Sequence, residues 1–224
     1  MALAILSTLT GCAKFPTGPT VTGKQLVLTL KVRGRINISD PNYHYFIAID
    51  NDGNINTGPW AVVSIPWGNG WGTSNDAARS IGITSYVQCD SSSPQSYVYG
   101  VVPNTMLQQP TSPVPPIRAE LLEGGSALRV VIDLSQAATV PIPVDKIQQL
   151  DINFITTNDM PQDPYDPAVG RVWDGLGPSG QNYVNVDVTN DRLYYGYNAD
   201  GPPVTDPDLE ISYWSIEVQT VSSN

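Results

Sequence analysis

Residues 43–58, with the sequence YHYFIAIDNDGNINTG, run from a strand-like apolar segment directly into a loop of carboxylates and amides. The apolar run is typical of a buried β-strand, and the turn is supplied by Gly53. Four residues with side-chain oxygens then occupy alternate positions: Asp50, Asp52, Asn54 and Asn56. A loop that curls around one point directs such oxygens inward, and Ca²⁺ prefers oxygen ligands. The spacing predicts a calcium site, and a metal-free polar turn is the alternative.

The composition favours strands over helices. The chain has 20 prolines and 19 glycines among 224 residues, which disfavours long helices and favours short strands joined by turns. We therefore predict an all-β fold, an antiparallel two-sheet β-sandwich that is jelly-roll-like and has about ten strands. The net charge of −10 leaves no basic patch to neutralise phosphates, which argues against nucleic-acid partners and favours divalent cations.

The N-terminal segment resembles the export signal of bacterial lipoproteins. Residues 1–11 are apolar and too short to span a bilayer, and Leu-Thr-Gly before Cys12 matches a lipobox. The resemblance implies a lipid on Cys12. The Pro, Gly and Thr content of the segment that follows predicts a tether over residues 12–23, and residues 24–224 are then a single β-sandwich domain. The resemblance to a lipoprotein signal predicts an extracytoplasmic protein that a lipid anchors to a membrane, with an ordinary cleaved signal as the alternative.

Three tryptophans lie close together in the segment that follows the calcium loop: Trp60, Trp67 and Trp71. Indole rings on a glycine-rich loop bring a large apolar surface that stacks on sugar rings, so this group is a candidate ligand-binding surface. The alternative is that the rings fold back over one end of the sandwich as a lid, since tryptophan is usually largely buried.

A second acidic loop follows the predicted strand at residues 150–157. Asp159, Asp163 and Asp166 form a second candidate cation site there, and a solvated loop is the alternative. Further along, residues 183–188 and 191–197 alternate in polarity on either side of a short turn. This pattern predicts a late β-hairpin.

Three segments, FIAIDNDGNINTG, INFITTND and VWDGLG, resemble the β-sandwich superfamily that contains family-nine carbohydrate-binding modules and DOMON domains. The resemblance covers about thirty residues. It implies two packed antiparallel sheets, structural calcium at strand ends, and a concave face that binds sugars, haem or other ligands.

The inventory of reactive side chains argues against an enzyme. His44 is the only histidine, so the sequence shows no evident Ser-His-Asp or Cys-His system. Carboxylates alone would suffice for a glycosidase, which is the weaker alternative. We predict a calcium-stabilised binding module for a glycan or another extracellular ligand. The competing hypothesis is a self-associating structural subunit of a surface layer or filament, assembled when the N-terminal segment adds a strand to a neighbour.

The lipobox generates a direct test. We expect mass spectrometry of the mature protein to find lipid on Cys12, and we expect Cys12→Ala to release the protein from the membrane fraction. An unmodified Cys12, or secretion that Cys12→Ala leaves unchanged, would contradict the lipoprotein prediction.

Overall fold

The structure is a computed structural model that describes residues 23–54, 56–61, 75–76, 81–93, 96–100, 113–137, 144–160, 165, 170–199 and 204–221. Thirteen strands occur in this part of the chain. They are β1 (Gly23–Val32), β2 (His44–Asp50), β3 (Asn75–Asp76), β4 (Ile81–Gly82), β5 (Ser85–Asp90), β6 (Tyr97–Gly100), β7 (Arg118–Leu122), β8 (Ala127–Asp133), β9 (Gln149–Thr157), β10 (Trp173–Gly175), β11 (Val184–Asp187), β12 (Arg192–Tyr197) and β13 (Ile211–Val221).

Eleven of these strands form two antiparallel sheets. Sheet A has five strands in the order β12-β13-β1-β8-β7. Sheet B has the order β10-β9-β2-β5-β6, and β11 also pairs with β9, along the same side as β10. Within the described residues, strands β3 and β4 pair only with each other. The short helical elements are α1 (Leu134–Ala137) and two 3₁₀ turns, Glu123–Gly125 and Val144–Lys146.

The core lies between the inner faces of the two sheets. Strand β1 alternates, so that Leu26, Leu28 and Leu30 point inward and are fully buried. Sheet B contributes Phe154, whose ring stacks on Trp214 of sheet A with centroids 6.1 Å apart. This cross-sheet contact, together with the continuous buried cluster around it, makes the two sheets one sandwich.

Sheet B is also covered on its outer face. Phe46 and Ala48 of β2 point away from the main core and belong to a second buried cluster with Ala61, Ile83 and Tyr86. Burial on both faces explains why β2 is a continuous apolar run rather than an alternating one. Asp50, at the end of β2 where the predicted calcium loop begins, is buried on this same outer face.

The predicted all-β, antiparallel two-sheet sandwich is confirmed, but the predicted late hairpin is wrong. Strand β11 pairs with β9 in sheet B, whereas β12 pairs with β13 in sheet A. The turn between them moves the chain from one sheet to the other. Local alternation cannot reveal this, because it is the same whether a strand pairs with its neighbour or with a distant segment. Among the described residues, no helix is long and apolar enough to cross a bilayer.

Candidate cation site

The predicted calcium loop, residues 50–56, leaves β2 at Asp50, and the structure places a second carboxylate directly opposite. Asp151 at the start of β9 is the cross-strand partner of Asp50, so both side chains lie on the outer face of sheet B. Both residues are buried, Asp50 with 3% and Asp151 with 9% of its surface exposed. Like charges directly opposite each other in a sheet are destabilising. The pair therefore needs a compensating charge or proton.

Asp50 has one satisfied and one unsatisfied oxygen. Its Oδ1 accepts a hydrogen bond from the backbone N–H of Asp52 at 3.1 Å. Its Oδ2 is buried and has no hydrogen-bond partner in the described part of the chain. Burial, reinforced by repulsion from Asp52 and Asp151, raises the pKa of Asp50 to about 7 despite that backbone hydrogen bond. An ionised carboxylate in this position is costly unless something neutralises it.

The rest of the loop is held by a chain of short-range hydrogen bonds. Asp52 Oδ1 accepts from the Asn54 N–H at 2.7 Å, and Asn54 Oδ1 accepts from the Asn56 N–H at 3.1 Å. Asp52 Oδ2 accepts from the Thr57 hydroxyl at 3.2 Å. Turns held by side-chain-to-backbone hydrogen bonds of this kind form without a metal, so these bonds also fit the metal-free polar turn. They do not account for Asp50 Oδ2, which is buried and has no hydrogen-bond partner in the described part of the chain.

Space for an ion lies beside these oxygens. A cavity of about 260 Å³ is lined by Asp50, Asp52, Asn54 and Asp151, and also by the cationic side chain of Lys146. Gly82 contributes by having no side chain. A Cβ there would lie 2.6 Å from Asp50 Oδ2 and 3.2 Å from Thr57 Oγ1. The cavity thus combines carboxylate and amide oxygens with open volume, which fits the ligand chemistry of Ca²⁺.

The carboxylates are not gathered into a closed metal cage. Within the described ranges, no three or more His, Cys, Asp or Glu side chains come together in a group that could hold a metal ion. Calcium sites also draw on amides, backbone carbonyls and water, and here Asn54 is the amide that lines the cavity. Asn56 is exposed and donates from Nδ2 to Asn54 Oδ1 at 3.3 Å.

The other predicted site residues are placed only in part. Asp159 is half exposed, and its Oδ2 lies 3.5 Å from Nη2 of Arg171. Asp163 and Asp166 lie outside the described residues. Trp60 is half-buried, and its Nε1 has no hydrogen-bond partner in the described part of the chain. Trp67, Trp71 and Cys12 lie outside the described residues.

Asp151 is the site residue that the sequence analysis missed. A signal was present, because an aspartate interrupts the apolar run LDINFI, and a charged residue within a buried strand usually has a partner. Asn185 supplies one such partner, donating from Nδ2 to Asp151 Oδ1 at 2.8 Å. Burial nevertheless raises the pKa of Asp151, against the effect of this hydrogen bond.

A second polar group lies at the opposite end of β2. His44 Nδ1 is 2.9 Å from Asp90 Oδ2, and Gln88 donates to the same oxygen at 2.7 Å. Asp90 Oδ1 accepts from the Ser92 hydroxyl and from the backbone N–H groups of Ser92 and Ser93. Burial alone would raise the pKa of Asp90, but hydrogen bonds led by the one from His44 outweigh it and lower the pKa to about 2. His44 thus helps to hold a buried carboxylate at this end of the strand.

Comparisons with known proteins return no matching family model, no matching curated protein and no matching solved structure.

The hydrogen-bonded Asp90 carboxylate predicts a pH-dependent contribution to stability. Because its folded pKa lies below its unfolded value, the ionised form stabilises the fold above about pH 4, and that contribution is lost as pH falls through about 2. We expect Asp90→Asn to lower the free energy of unfolding at pH 7 by about 1.5–3 kcal/mol. Urea titrations should show that the difference in free energy of unfolding between Asp90→Asn and the wild type narrows as pH falls from 4 to 2. Asp145→Asn, at an exposed aspartate, is the control, and a gap that does not change with pH would contradict this role.

Proposed function

We propose that the protein is a calcium-stabilised extracytoplasmic binding module, similar in kind to family-nine carbohydrate-binding modules and DOMON domains. The observation that carries the proposal is Asp50 Oδ2, a buried carboxylate oxygen without a hydrogen-bond partner in the described part of the chain. It lies in the calcium loop, beside Asp52 and opposite Asp151. A divalent cation would neutralise the buried carboxylates and so remove their mutual repulsion.

The proposed ion is structural rather than catalytic. Asp50 ends β2 and Asp151 lies near the start of β9, so an ion between them would join two adjacent strands of sheet B. It would also fix the loop that leads from β2 to the covering segment at Gly58 and Ala61. Asp50, Asp52, Asn54 and Asn56 remain the proposed loop ligands, and Asp151 is added from the neighbouring strand.

The first test is calcium binding by the full chain after chelation. A ligand that binds only the folded state stabilises it by about 2.7 kcal/mol at a hundredfold excess over Kd. We therefore expect calorimetry to detect Ca²⁺ binding and thermal unfolding to shift upward when Ca²⁺ is added. Asp50→Asn should abolish the binding, and Asp151→Asn should weaken it.

Two further variants sharpen this test. Gly82→Ala places a methyl group in the space beside Asp50 Oδ2 and should weaken Ca²⁺ binding without removing a ligand. Glu217→Gln removes one negative charge from β13 of sheet A, outside the site, and should leave the calcium response intact. The calcium proposal fails if the wild type binds no Ca²⁺, or if Asp50→Asn binds it equally well while keeping its native circular dichroism.

A glycan is the ligand that the tryptophan group favours. Trp60 follows the calcium loop directly, so a cation that fixes the loop would also fix the start of the segment that bears Trp67 and Trp71. Aromatic rings held in a fixed position bind sugar faces at little entropic cost. We propose that calcium fixes the loop that precedes Trp60 and that the indole rings contact the ligand.

Changing Trp67 and Trp71 together to Ala tests the ligand surface. We expect loss of binding on a glycan array with a nearly unchanged melting temperature. A large fall in stability would instead assign the rings to a buried lid, because removing a buried tryptophan costs about 3–5 kcal/mol. Tyr165→Ala, at an exposed aromatic residue elsewhere, is the control.

A further inference from the structure

Strand β12 presents a row of large exposed side chains at the edge of sheet A. Leu193, Tyr195 and Tyr197 alternate along the strand, so all three project from the outer face of the sheet. Their exposed fractions are 54%, 63% and 75%. Next to them on β13 lies Tyr213, whose ring contacts that of Tyr197 with centroids 5.5 Å apart. The row is thus an apolar and aromatic stripe along a sheet edge.

The free side of β12 lacks the usual protection against strand pairing. In the part of the chain that the structure describes, β13 is the strand that pairs with β12, and none pairs on the other side. The strand RLYYGY contains no proline, and Arg192 at its first position is its only charge. Proteins normally block open edges with charges, prolines or bulges. The opposite edge of sheet A follows that rule, since β7 carries Arg118 and Glu120.

The sequence of β12 is complementary to itself in one antiparallel register. If two copies pair around a twofold axis at Tyr195, Tyr195 faces its own counterpart and Leu193 faces Tyr197 of the other copy. In this register, each of the three exposed side chains of one copy lies opposite an exposed side chain of the other copy. It also sets Arg192 against Asn198, so no like charges face each other. Aromatic and aliphatic cross-strand pairs of this kind stabilise antiparallel strands.

Two other occupants of this edge are less well matched. The N-terminal tether contains Pro16 and Pro19, which lie at positions of opposite parity. In any β-strand that includes both prolines, one of them would lie at a position whose backbone N–H must donate a hydrogen bond to the neighbouring strand, and proline has no N–H. A sugar chain that lies flat stacks best on a flat aromatic platform, and the Tyr197 and Tyr213 rings, inclined at 62° to each other, do not form one. A second copy of β12 fits the edge without either difficulty.

We propose that two copies of this protein associate through antiparallel pairing of their β12 strands. The pairing joins the two five-stranded sheets into one continuous sheet of ten strands and buries Leu193, Tyr195 and Tyr197 in cross-strand pairs. It uses sheet A, whereas the candidate calcium site lies on the outer face of sheet B. The association therefore does not rest on calcium binding.

Analytical ultracentrifugation of the full chain, as a Cys12→Ser variant without lipid, tests this association. We expect a reversible monomer–dimer equilibrium between micromolar and near-millimolar protein. Tyr195→Lys places a charge at the centre of the pairing and should weaken the dimer by roughly tenfold or more while leaving the melting temperature of the monomer unchanged. Tyr165→Lys, at a tyrosine of similar exposure outside β12, should have no effect on association.

A cysteine pair tests the register. In the same background, where Cys89 is buried, Tyr195→Cys should be joined across the twofold axis by a short thiol-reactive cross-linker. Leu193→Cys should not be joined, because its two copies are offset by four residues, about 13 Å. A protein that stays monomeric overturns the proposal, and so does a dimer that tolerates Tyr195→Lys. A monomer that binds a glycan through Tyr195 would assign the stripe to sugar instead.

Discussion

The sandwich depends on apolar contact between the inner faces of its two sheets. Leu28 and Leu30 from sheet A meet Ile47 and Phe154 from sheet B in one buried cluster. Because side chains alternate along a strand, fixing these residues inward also fixes which residues point outward. The outward positions of β2 include Asp50. The same packing that builds the core therefore forces a carboxylate toward the covered outer face of sheet B.

Burial of carboxylates on that face is energetically costly. Asp50 and Asp151 are cross-strand partners, and Asp52 adds a third negative charge nearby. A protein can relieve such repulsion with a proton or with a cation. The raised pKa of Asp50 reflects the first solution, and the cavity lined by Asp50, Asp52, Asn54 and Asp151 provides room for the second. Because one solution takes up a proton and the other a cation, the stability of this end of the sandwich is sensitive to pH and to cation concentration.

The two sheets differ in what covers them, and this difference separates the two proposed functions. Sheet B carries the second buried cluster on its outer face, so its polar groups act within the protein. The outer face of sheet A bears the exposed stripe of Leu193, Tyr195 and Tyr197 along β12. Ion binding at one face and association at an edge of the other can thus operate independently, since they share no residues.

The sequence by itself determined the fold class, the run of β2 and the polar loop that follows it. These features are local, because strand alternation, turn residues and ligand spacing are all contained in short segments. Only the tertiary structure decided that Asp151 faces Asp50, that β11 and β12 belong to different sheets, and that β12 forms an open edge. The pairing of distant strands sets each of these, and it depends on backbone hydrogen bonds that local periodicity does not encode.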